Sequence, residues 1–356
     1  MAKRLVLAGY FGRGNLGDDA ILLAFTKAIA DKGYEYTILA GKPELLMREY
    51  GLRSISHVDF RSIQSNIEAG DALVFPGGSI FQDVSSSRSV AYYANLVKMA
   101  KKANKKVVML GQGVGPLNGF IGKRLASAAF SAADAIAVRD KESVKTLLDL
   151  GVRGSFRVTA DMAFLLPVPK HEKGQQQYGV GTMKSVGVNA RPSGSDKHVV
   201  KVFSKLLRLL FDNGWVPTMI EMDRELDRPI IDKIGKEHGG KVPEIRNIGS
   251  CVQLQERIMR MDAVIGMRLH AGILATTVGV PAYMVSYDPK VTAFTNAMGY
   301  PTPLNIADAT PERIFDGFQG FIKDRERLAA TVSHKRDELK NLAQGNIEVL
   351  ASTVGT

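Results

Sequence analysis

The sequence predicts an α/β protein made of two doubly wound domains, and three observations support this prediction. The chain has 356 residues, which is too long for one ordinary domain and suits two domains of about 150 residues each. Short apolar runs alternate with helical patterns in both halves, as in parallel sheets that helices cover on both faces. A segment without periodicity separates the two alternating regions, which indicates a linker.

The first domain is predicted at residues 1–166. Its first strand, Arg4–Ala8, leads into a helix at Asp18–Lys32, where apolar residues recur at helical spacing. The further strands predicted in this half are Tyr36–Ala40, Ala72–Phe75, Val107–Leu110 and Ala135–Val138. Because these runs are short and helices lie between them, we expect the strands to be parallel.

The second domain is predicted at residues 185–325, after a linker at 167–184 that holds two prolines, several charges and a glutamine run. Its predicted strands are Ser185–Asn189, Val216–Ile220, Ala263–Ile265 and Pro281–Val285, and its helices Val199–Phe211, Cys251–Met261 and Ala271–Val278. Residues 326–356 are expected to form C-terminal helices. Since ligands bind outside the carboxyl ends of parallel strands, we expect the active site in the cleft between the two domains.

The charge of the chain implies anionic partners. There are 47 Lys and Arg against 36 Asp and Glu, which gives a net charge of +11. Nucleic acid is not expected as a partner, because no dense basic block with interleaved aromatic residues and no known binding motif is present. Phosphorylated small molecules and an anionic membrane surface fit the charge equally well.

The apolar runs and the single cysteine predict a cytoplasmic protein. The N-terminal apolar run is too short for a signal peptide, and no run approaches the ~20 apolar residues of a membrane span. Cys251 is the single cysteine of the sequence, which excludes an internal disulfide and a cysteine-rich metal site. Any membrane contact is therefore expected to be peripheral, on the inner face of the cell membrane, and sensitive to salt.

The glycine-rich segment Gly12–Gly17 follows a predicted strand and precedes a helix, which is the position of a dinucleotide fingerprint. Asp18 and Asp19 follow directly, where a pyrophosphate would sit, and the second strand ends without an acidic residue for a ribose. A nicotinamide dinucleotide is therefore not predicted. The segment is either a turn that caps the helix or a sugar site whose contacts are Gly14, Asn15 and Asp18.

Two further glycine-rich loops follow predicted strands of the first domain. Gly77 and Gly78 come after Ala72–Phe75, and Gln112 lies in the segment Gly111–Pro116. Glycine at such places allows the backbone to approach a ligand closely, although tight turns alone would explain either loop. We expect Gly77, Gly78 and Gln112 to line the ligand crevice at this edge of the sheet.

Two arginines and a histidine follow strands that we expect to be buried. Arg139 ends the strand Ala135–Val138, and it either faces a ligand or pairs with Asp140 at the start of the next helix. Arg268 and His270 follow the strand Ala263–Ile265, just before the helix predicted at Ala271. A guanidinium and free N–H groups there form an anion site.

A lone histidine at such a boundary is more often a helix cap than a catalyst. The adjacent Arg268 favours a catalytic role for His270. The other five histidines show no ligand spacing, so no metal site is predicted.

Taken in order, these motifs resemble the polysaccharide pyruvyl transferase family over roughly residues 1–310. The segments that carry the resemblance are Gly9–Ala20, Phe75–Gly78, Gly111–Pro116, Val138–Asp140, Ala160–Phe164, Gly266–Ala271 and Gly279–Val291. The chain looks most similar to the cell-surface-anchoring branch. That branch pyruvylates N-acetylmannosamine in bacterial secondary cell-wall polymers.

The resemblance implies a GT-B-like fold of two Rossmann-like domains. It also implies phosphoenolpyruvate as co-substrate, no metal, nucleotide or other cofactor, and a sugar or lipid-linked glycan as acceptor. Arg139, Arg268 and His270 are the implied catalytic and donor-binding residues, with Ala271 and Lys290 as further donor contacts. The expected acceptor contacts are Gly14, Asn15, Asp18, Gly77, Gly78 and Gln112. The implied product is a pyruvate ketal on the sugar, and phosphate is released.

Two other functions stay open at this stage. A GT-B glycosyltransferase that uses a nucleotide sugar would share the fold, but it would need a carboxylate for the ribose, and Ala271–Val285 offers no convincing one. A non-catalytic module that binds anionic glycans would bind sugar without turning over phosphoenolpyruvate.

Overall fold

The computed structural model describes residues 2–83, 87–170, 183–240, 242–245 and 248–355. The chain divides into two compact units, one formed by residues 1–166 with 338–356 and the other by residues 167–337. Most of the predicted linker, residues 171–182, lies outside the described residues.

The first unit contains a parallel eight-stranded sheet. Its strands are β1 Lys3–Leu7, β2 Tyr34–Ala40, β3 Ser54–Ser56, β4 Ala72–Phe75, β5 Gly78–Phe81, β6 Lys106–Val114, β7 Ala135–Val138 and β8 Arg157–Val158. The helices between them are α1 Leu16–Ala28, α2 Pro43–Tyr50, α3 Phe60–Ala69, α4 Ser87–Lys102, α5 Phe120–Ser131 and α6 Lys141–Asp149. The strand order is β3-β2-β1-β4-β6-β7-β8, and β5 pairs with β6.

The second unit contains a parallel five-stranded sheet. Its strands are β9 Lys184–Asn189, β10 Trp215–Met219, β11 Ala263–Gly266, β12 Ala282–Ser286 and β13 Leu304–Asn305. Its helices are α7 Asp196–Asp212, α8 Arg224–His238, α9 Cys251–Ile258, α10 Leu269–Thr277, α11 Pro289–Met298 and α12 Pro311–Ile322, and α13 follows at Arg325–Val354. The strand order is β10-β9-β11-β12-β13.

Each sheet has a point at which the order of its strands reverses. This switch lies between β1 and β4 in the first unit and between β9 and β11 in the second. In doubly wound sheets the loops at the carboxyl ends of the two strands diverge there and leave a crevice for a ligand. The fold therefore directs attention to the segments after β1 and β4, and after β9 and β11.

The end of α13 belongs to the first unit. The buried side chain of Asn346 donates to the carbonyl of Ala160 at 3.0 Å and accepts from Thr159 at 2.8 Å. The Tyr34 hydroxyl donates to the carbonyl of Gly355 at 2.9 Å. These bonds hold the C-terminal helix against the first sheet, whose strands all come from the N-terminal half of the chain.

Three helices begin earlier than the sequence predicts, and one of them is α7, which begins at Asp196 instead of Val199. Helix α1 begins at Leu16 instead of Asp18, because the Asn15 side chain caps it. Helix α10 begins at Leu269 instead of Ala271, although the side chain of its cap residue, Arg268, forms no capping bond. A side chain from a neighbouring strand binds the Arg268 N–H instead, so His270 lies inside the first turn.

Candidate functional site

The glycine-rich loop after β1 is a capped turn. The Asn15 side chain accepts a hydrogen bond from the backbone N–H of Gly17 at 3.0 Å. The buried carboxylate of Asp19 accepts from the N–H of Gly12 at 2.8 Å, which closes the loop. Gly14 has a φ of +83°, and a Cβ there would meet nothing within 4 Å, so it faces open space.

Asp18 lies where the loops after β1 and β4 meet. Its carboxylate is half-buried, and a Cβ on Gly78 would lie 3.2 Å from its Oδ1. Gly77 packs against α1, since a Cβ there would lie 3.0 Å from Ile21. Burial raises the pKa of the Tyr93 phenol and the charge of Asp18 raises it further, which places the two side chains close together. The structure thus joins Asp18, Gly77 and Gly78 at the switch point of the first sheet.

Gln112 lies within β6 and not in a loop after it, because β6 continues to Val114 and pairs there with β5. Its side chain is fully buried and its Nε2 donates to the carbonyls of Phe75, at 3.2 Å, and Leu110, at 3.1 Å. Its Oε1 is buried and has no hydrogen-bond partner among the described residues. The amide therefore ties the end of β4 to β6.

Arg139 lies in the first unit and is held by three neighbours. Its side chain is 5% exposed, and Nη1 lies 3.0 Å from Oδ2 of the buried Asp161. Nη2 donates to the Ser79 hydroxyl at 2.7 Å, and Nε lies 3.5 Å from Asp140. Asp140 also caps α6 by accepting from the N–H of Ser143. The Arg139–Asp140 pair expected as one alternative is thus present, and Asp161 and Ser79 are further partners of Arg139.

Gly113 is what allows Arg139 to take this position. A Cβ at Gly113 would lie 2.5 Å from Nη2 of Arg139 and 2.6 Å from the Ser79 hydroxyl. Such distances are not tolerated by packed side chains. The glycine-rich segment after Leu110 therefore includes one glycine whose bare Cα leaves room for a buried guanidinium.

In the second unit, the Arg268 guanidinium is clamped by a carboxylate of α8. Its Nε lies 2.8 Å and 2.9 Å from the two oxygens of Asp227, and Nη2 also donates to Asp227. Asp223 lies 3.8 Å from Nη2. The Arg268 N–H donates to the side chain of Asn189, the last residue of β9, at 3.0 Å. No described residue bonds to Nη1, which leaves that edge of the guanidinium for a ligand.

The neighbouring carboxylates stabilise the protonated form of Arg268. Burial lowers the pKa of Arg268, but Asp227 and Asp223 raise it by more, so the guanidinium stays protonated. Burial raises the pKa of Asp223, and Arg268 lowers it in turn. Arg268 is thus a fixed cation whose orientation is set by a carboxylate.

Three aromatic and basic side chains lie after β9 and β12, the two strands on either side of β11. Arg191 lies over the ring of Tyr287, with its Cζ 4.1 Å from the ring centroid, and Nη1 donates to the Tyr287 hydroxyl. Nζ of Lys290 lies 5.4 Å from the same centroid and 3.3 Å from Asp288, which caps α11. Tyr287 is near enough to Arg268 to raise its pKa.

The second unit therefore collects Arg191, Arg268, His270 and Lys290 at the carboxyl ends of three adjacent strands. His270 is partly exposed in the first turn of α10, and Ala271 beside it is buried. Sequence reasoning misses Arg191, although an arginine two residues after a strand end is the same signal that identifies Arg268. Arg139 belongs to the other unit, and the expected location between domains stays a prediction.

The family of the chain follows from a match over most of its length. The family described as polysaccharide pyruvyl transferase matches residues 15–289. The chain belongs to this family. The match runs from the capped turn at Asn15 to the start of α11, so it includes the loop after β1, Arg139, Arg268 and His270.

The chain is also similar to a curated protein. The amylovoran biosynthesis protein AmsJ of Erwinia amylovora is 22% identical over 253 residues, a match that covers 65% of this chain and 60% of AmsJ. The chain thus spans less than two thirds of the length of that relative.

Solved structures with similar folds confirm the predicted fold class. A UDP-GlcNAc 2-epimerase from Neisseria meningitidis bound to UDP-GlcNAc has a TM-score of 0.59 and 11% identity, covering 98% of this chain and 100% of its own. Anabaena HepE in complex with UDP-glucose has a TM-score of 0.62 and 11% identity, covering 99% and 100%. At such identities the likeness shows the fold alone, which is GT-B-like with two Rossmann-like domains.

The described part of the chain contains no group of three or more His, Cys, Asp or Glu side chains that could hold a metal ion. Within the same residues, none of the helices is both long and apolar enough to cross a bilayer.

Proposed function

We propose that the chain transfers the enolpyruvyl group of phosphoenolpyruvate to a sugar and closes it as a cyclic ketal. The observation that carries this proposal is that Arg191, Arg268, Lys290 and the partly exposed His270 all follow the carboxyl ends of adjacent strands in the second unit. Phosphoenolpyruvate carries a phosphate and a carboxylate, and several cations suit both. Membership of the pyruvyl transferase family supports the same choice.

We expect the donor to bind to the sides of the cationic groups that no carboxylate of the described residues contacts. Asp227 occupies Nε and Nη2 of Arg268, so Nη1 is the edge that a donor oxygen would meet. The ammonium group of Lys290 lies close to Tyr287 and Asp288. The N–H groups in the first turn of α10, including that of Ala271, add partial positive charge for an anion.

The chemistry of an enol phosphate gives the order of the steps. His270, as the candidate general acid, protonates the methylene carbon of the donor, and C2 becomes oxocarbenium-like. One sugar hydroxyl adds to C2, and the C2–O bond to phosphate then breaks with its electron pair on the phosphate. The second hydroxyl adds to the same carbon and closes the ketal. Of the two hydroxyl protons lost, one replaces the proton given by His270 and the other leaves with phosphate.

Arg139 is proposed to position other residues and not to meet the donor directly. Asp161, Asp140 and Ser79 already occupy its Nη1, Nε and Nη2, and its side chain is 5% exposed. A guanidinium with this environment has little free charge to offer an anion. Its contacts instead hold Ser79 of β5 and Asp161 in place at the end of the first sheet.

The acceptor is proposed to be a lipid-linked cell-wall glycan precursor that presents N-acetylmannosamine. Gly14 faces open space, and Asp18 and Gly78 lie together at the switch point of the first sheet, where a sugar hydroxyl would find a carboxylate. Asp18 is also the candidate to take the hydroxyl proton. Asn15 and Gln112 already bond to the backbone, so we expect them to shape the loops more than to bind the sugar.

The test is phosphate release from phosphoenolpyruvate across a panel of sugars, with mass spectrometry of the product. We expect a ketal on an N-acetylmannosamine glycan and none on the same glycan with one of the two hydroxyls methylated, since closure needs both. If the protein instead consumes UDP-sugars and leaves phosphoenolpyruvate unchanged, it is a glycosyltransferase. If it binds glycan but turns over neither donor, it is a binding module.

A further inference from the structure

The positive charge of the protein is concentrated in one segment. Residues 84–133 contain eight Lys or Arg and no Asp or Glu, so they contribute +8 of the net +11. The segment includes helices α4 and α5, which pack against each other. At its far end, Lys101 and Lys106 pair with Asp134. The exposed cations Lys123 and Arg124 lie instead in the first two turns of α5.

The same two turns carry the most exposed large apolar side chains of the described residues. Phe120 is 71% exposed and Ile121 is 65% exposed. The Arg124 guanidinium lies 5.6 Å from the centroid of the Phe120 ring, so a cation and an apolar ring share this surface. Adjacent bulky apolar residues that face water beside basic residues mark an interaction site.

The Asp83 side chain holds the backbone at the start of α5. The Asp83 carboxylate accepts from the N–H groups of Asn118 and Gly119, both at 2.7 Å. A Cβ at Gly122 would lie 2.5 Å from Oδ2 of Asp83, which shows how closely the helix start packs there. Asp83 follows β5 by two residues, so the turn lies at the edge of the sheet where β5 ends.

We propose that Phe120, Ile121, Lys123 and Arg124 dock the protein on the surface of an anionic lipid bilayer. The apolar pair enters the headgroup region, and the cations bind anionic headgroups around it. Charge favours a bilayer over a second copy of this chain, because two copies of this surface would bring the exposed cations Lys123 and Arg124 of each copy against those of the other. Membrane association would then include an apolar contact that salt does not screen.

The test is sedimentation with vesicles of equal parts phosphatidylglycerol and phosphatidylcholine, without any substrate. The double variant Phe120→Ser/Ile121→Ser should bind these vesicles at least about tenfold more weakly at low and high salt alike. Lys123→Gln/Arg124→Gln should bind roughly 30-fold more weakly at low salt and little differently at high salt. The matched control is Phe211→Ser, which removes an exposed ring from α7 and should bind like wild type.

A Phe120→Trp variant reports insertion directly. The native Trp215 is buried, so the indole introduced by the substitution is the one that brominated lipids should quench. Wild-type binding to phosphatidylcholine alone should be much weaker than to the mixture. The proposal is overturned if Phe120→Ser/Ile121→Ser binds the mixed vesicles as wild type does, or if the fluorescence of the introduced indole is not quenched. It also fails if light scattering shows a wild-type dimer that the double variant dissociates, which would make the surface an interface between copies. None of these readouts depends on the proposed transfer reaction.

Discussion

Arg268 and Asp227 form a buried bidentate pair in which one nitrogen, Nε, lies within 2.9 Å of both carboxylate oxygens. The pair joins the strand end after β11 to helix α8, which is 41 residues away along the chain. To bind an anionic donor, an arginine needs a fixed orientation and a nitrogen that is still open to the donor. Here one edge of the guanidinium is occupied and the other is open, which satisfies both needs.

Replacing Asp227 by Asn should destabilise the protein and weaken donor binding together. The fully buried carboxylate compensates the Arg268 charge, and removing one partner of a buried pair costs about 3–5 kcal/mol. Thermal unfolding and calorimetric binding of phosphoenolpyruvate measure the two effects. Asp232→Asn, on the same helix but largely exposed, is the control and should change neither. Unchanged donor affinity in Asp227→Asn would show that Asp227 has no role in the site.

Replacing Gly113 by Ala should lower the free energy of unfolding by about 1–3 kcal/mol. The new Cβ would meet the buried Arg139 guanidinium at 2.5 Å, and Asp161 and Ser79 leave that side chain no room to move away. Gly320→Ala is the control, because a Cβ there meets nothing within 4 Å and the position is in a helix. It should stabilise by up to about 1 kcal/mol. Chemical denaturation compares them, and equal stability of both variants would refute the account of Gly113.

The sequence identifies the residues at strand ends because the pattern is local. In the sequence, glycine, arginine and histidine come soon after short apolar runs. This pattern places Gly78, Arg139 and Arg268 after the carboxyl ends of strands, where the structure has them. Their partners are not local. Asp227 lies in a helix that the sequence analysis does not identify, and nothing near Arg268 in the chain shows that a carboxylate will clamp it. The same limit explains why the packing of Asn346 against the first unit is missed.

The predicted start of helix α10 is wrong for a related reason. From sequence alone, a helix is placed where its own residues supply a cap, which puts the start of α10 at Ala271. In the structure, the Asn189 side chain accepts the N–H of Arg268, so a distant strand supplies that contact and the helix begins at Leu269. His270 therefore belongs to the first turn.

The stability of the protein should fall as the pH is lowered below 6.5, in part through His57. Burial and then the Arg13 charge lower the pKa of His57 from its ordinary value of 6.5, so the folded state keeps it neutral when the unfolded chain protonates. Its Nδ1–H faces the Ala40 carbonyl, and Nε2 accepts from Arg13. The stabilisation is complete above 6.5 and is lost as the pH falls towards the lowered value.

His57→Gln should lose less stability than wild type over this range, because a glutamine accepts from Arg13 and does not titrate. The pKa of His238 is also lowered, by burial and by Arg208, and this contribution cancels in the comparison. Thermal unfolding across the pH range measures the difference. Parallel curves for wild type and His57→Gln would exclude the contribution of His57.

Removal of divalent metal should leave activity unchanged. The proposed donor charges are met by Arg268, Arg191 and Lys290, so no cation from solution is needed at the phosphate. Phosphate release in the presence of EDTA measures this. A loss of turnover that Mg²⁺ restores would contradict it.

The roles proposed for Arg268 and His270 separate in a pair of variants. Arg268 is a buried cation whose orientation depends on its planar fork, so Arg268→Lys keeps the charge but loses the geometry. It should weaken phosphoenolpyruvate binding clearly, since a fixed charge acts on the donor in the ground and transition states alike. Calorimetric binding of phosphoenolpyruvate measures this, and unfolding confirms that the variant is folded.

His270→Gln should retain phosphoenolpyruvate binding and lose turnover by roughly two to four orders of magnitude, the usual range for general acid catalysis. Glutamine keeps a hydrogen-bond donor of similar reach in the first turn of α10, but it cannot transfer a proton. Single-turnover phosphate release beside calorimetric binding separates the two quantities. Normal turnover would mean that the imidazole only caps the helix. If neither variant changes phosphoenolpyruvate binding and both abolish binding of a nucleotide sugar, the cations serve a glycosyltransferase, because the same guanidinium fork would then hold a diphosphate.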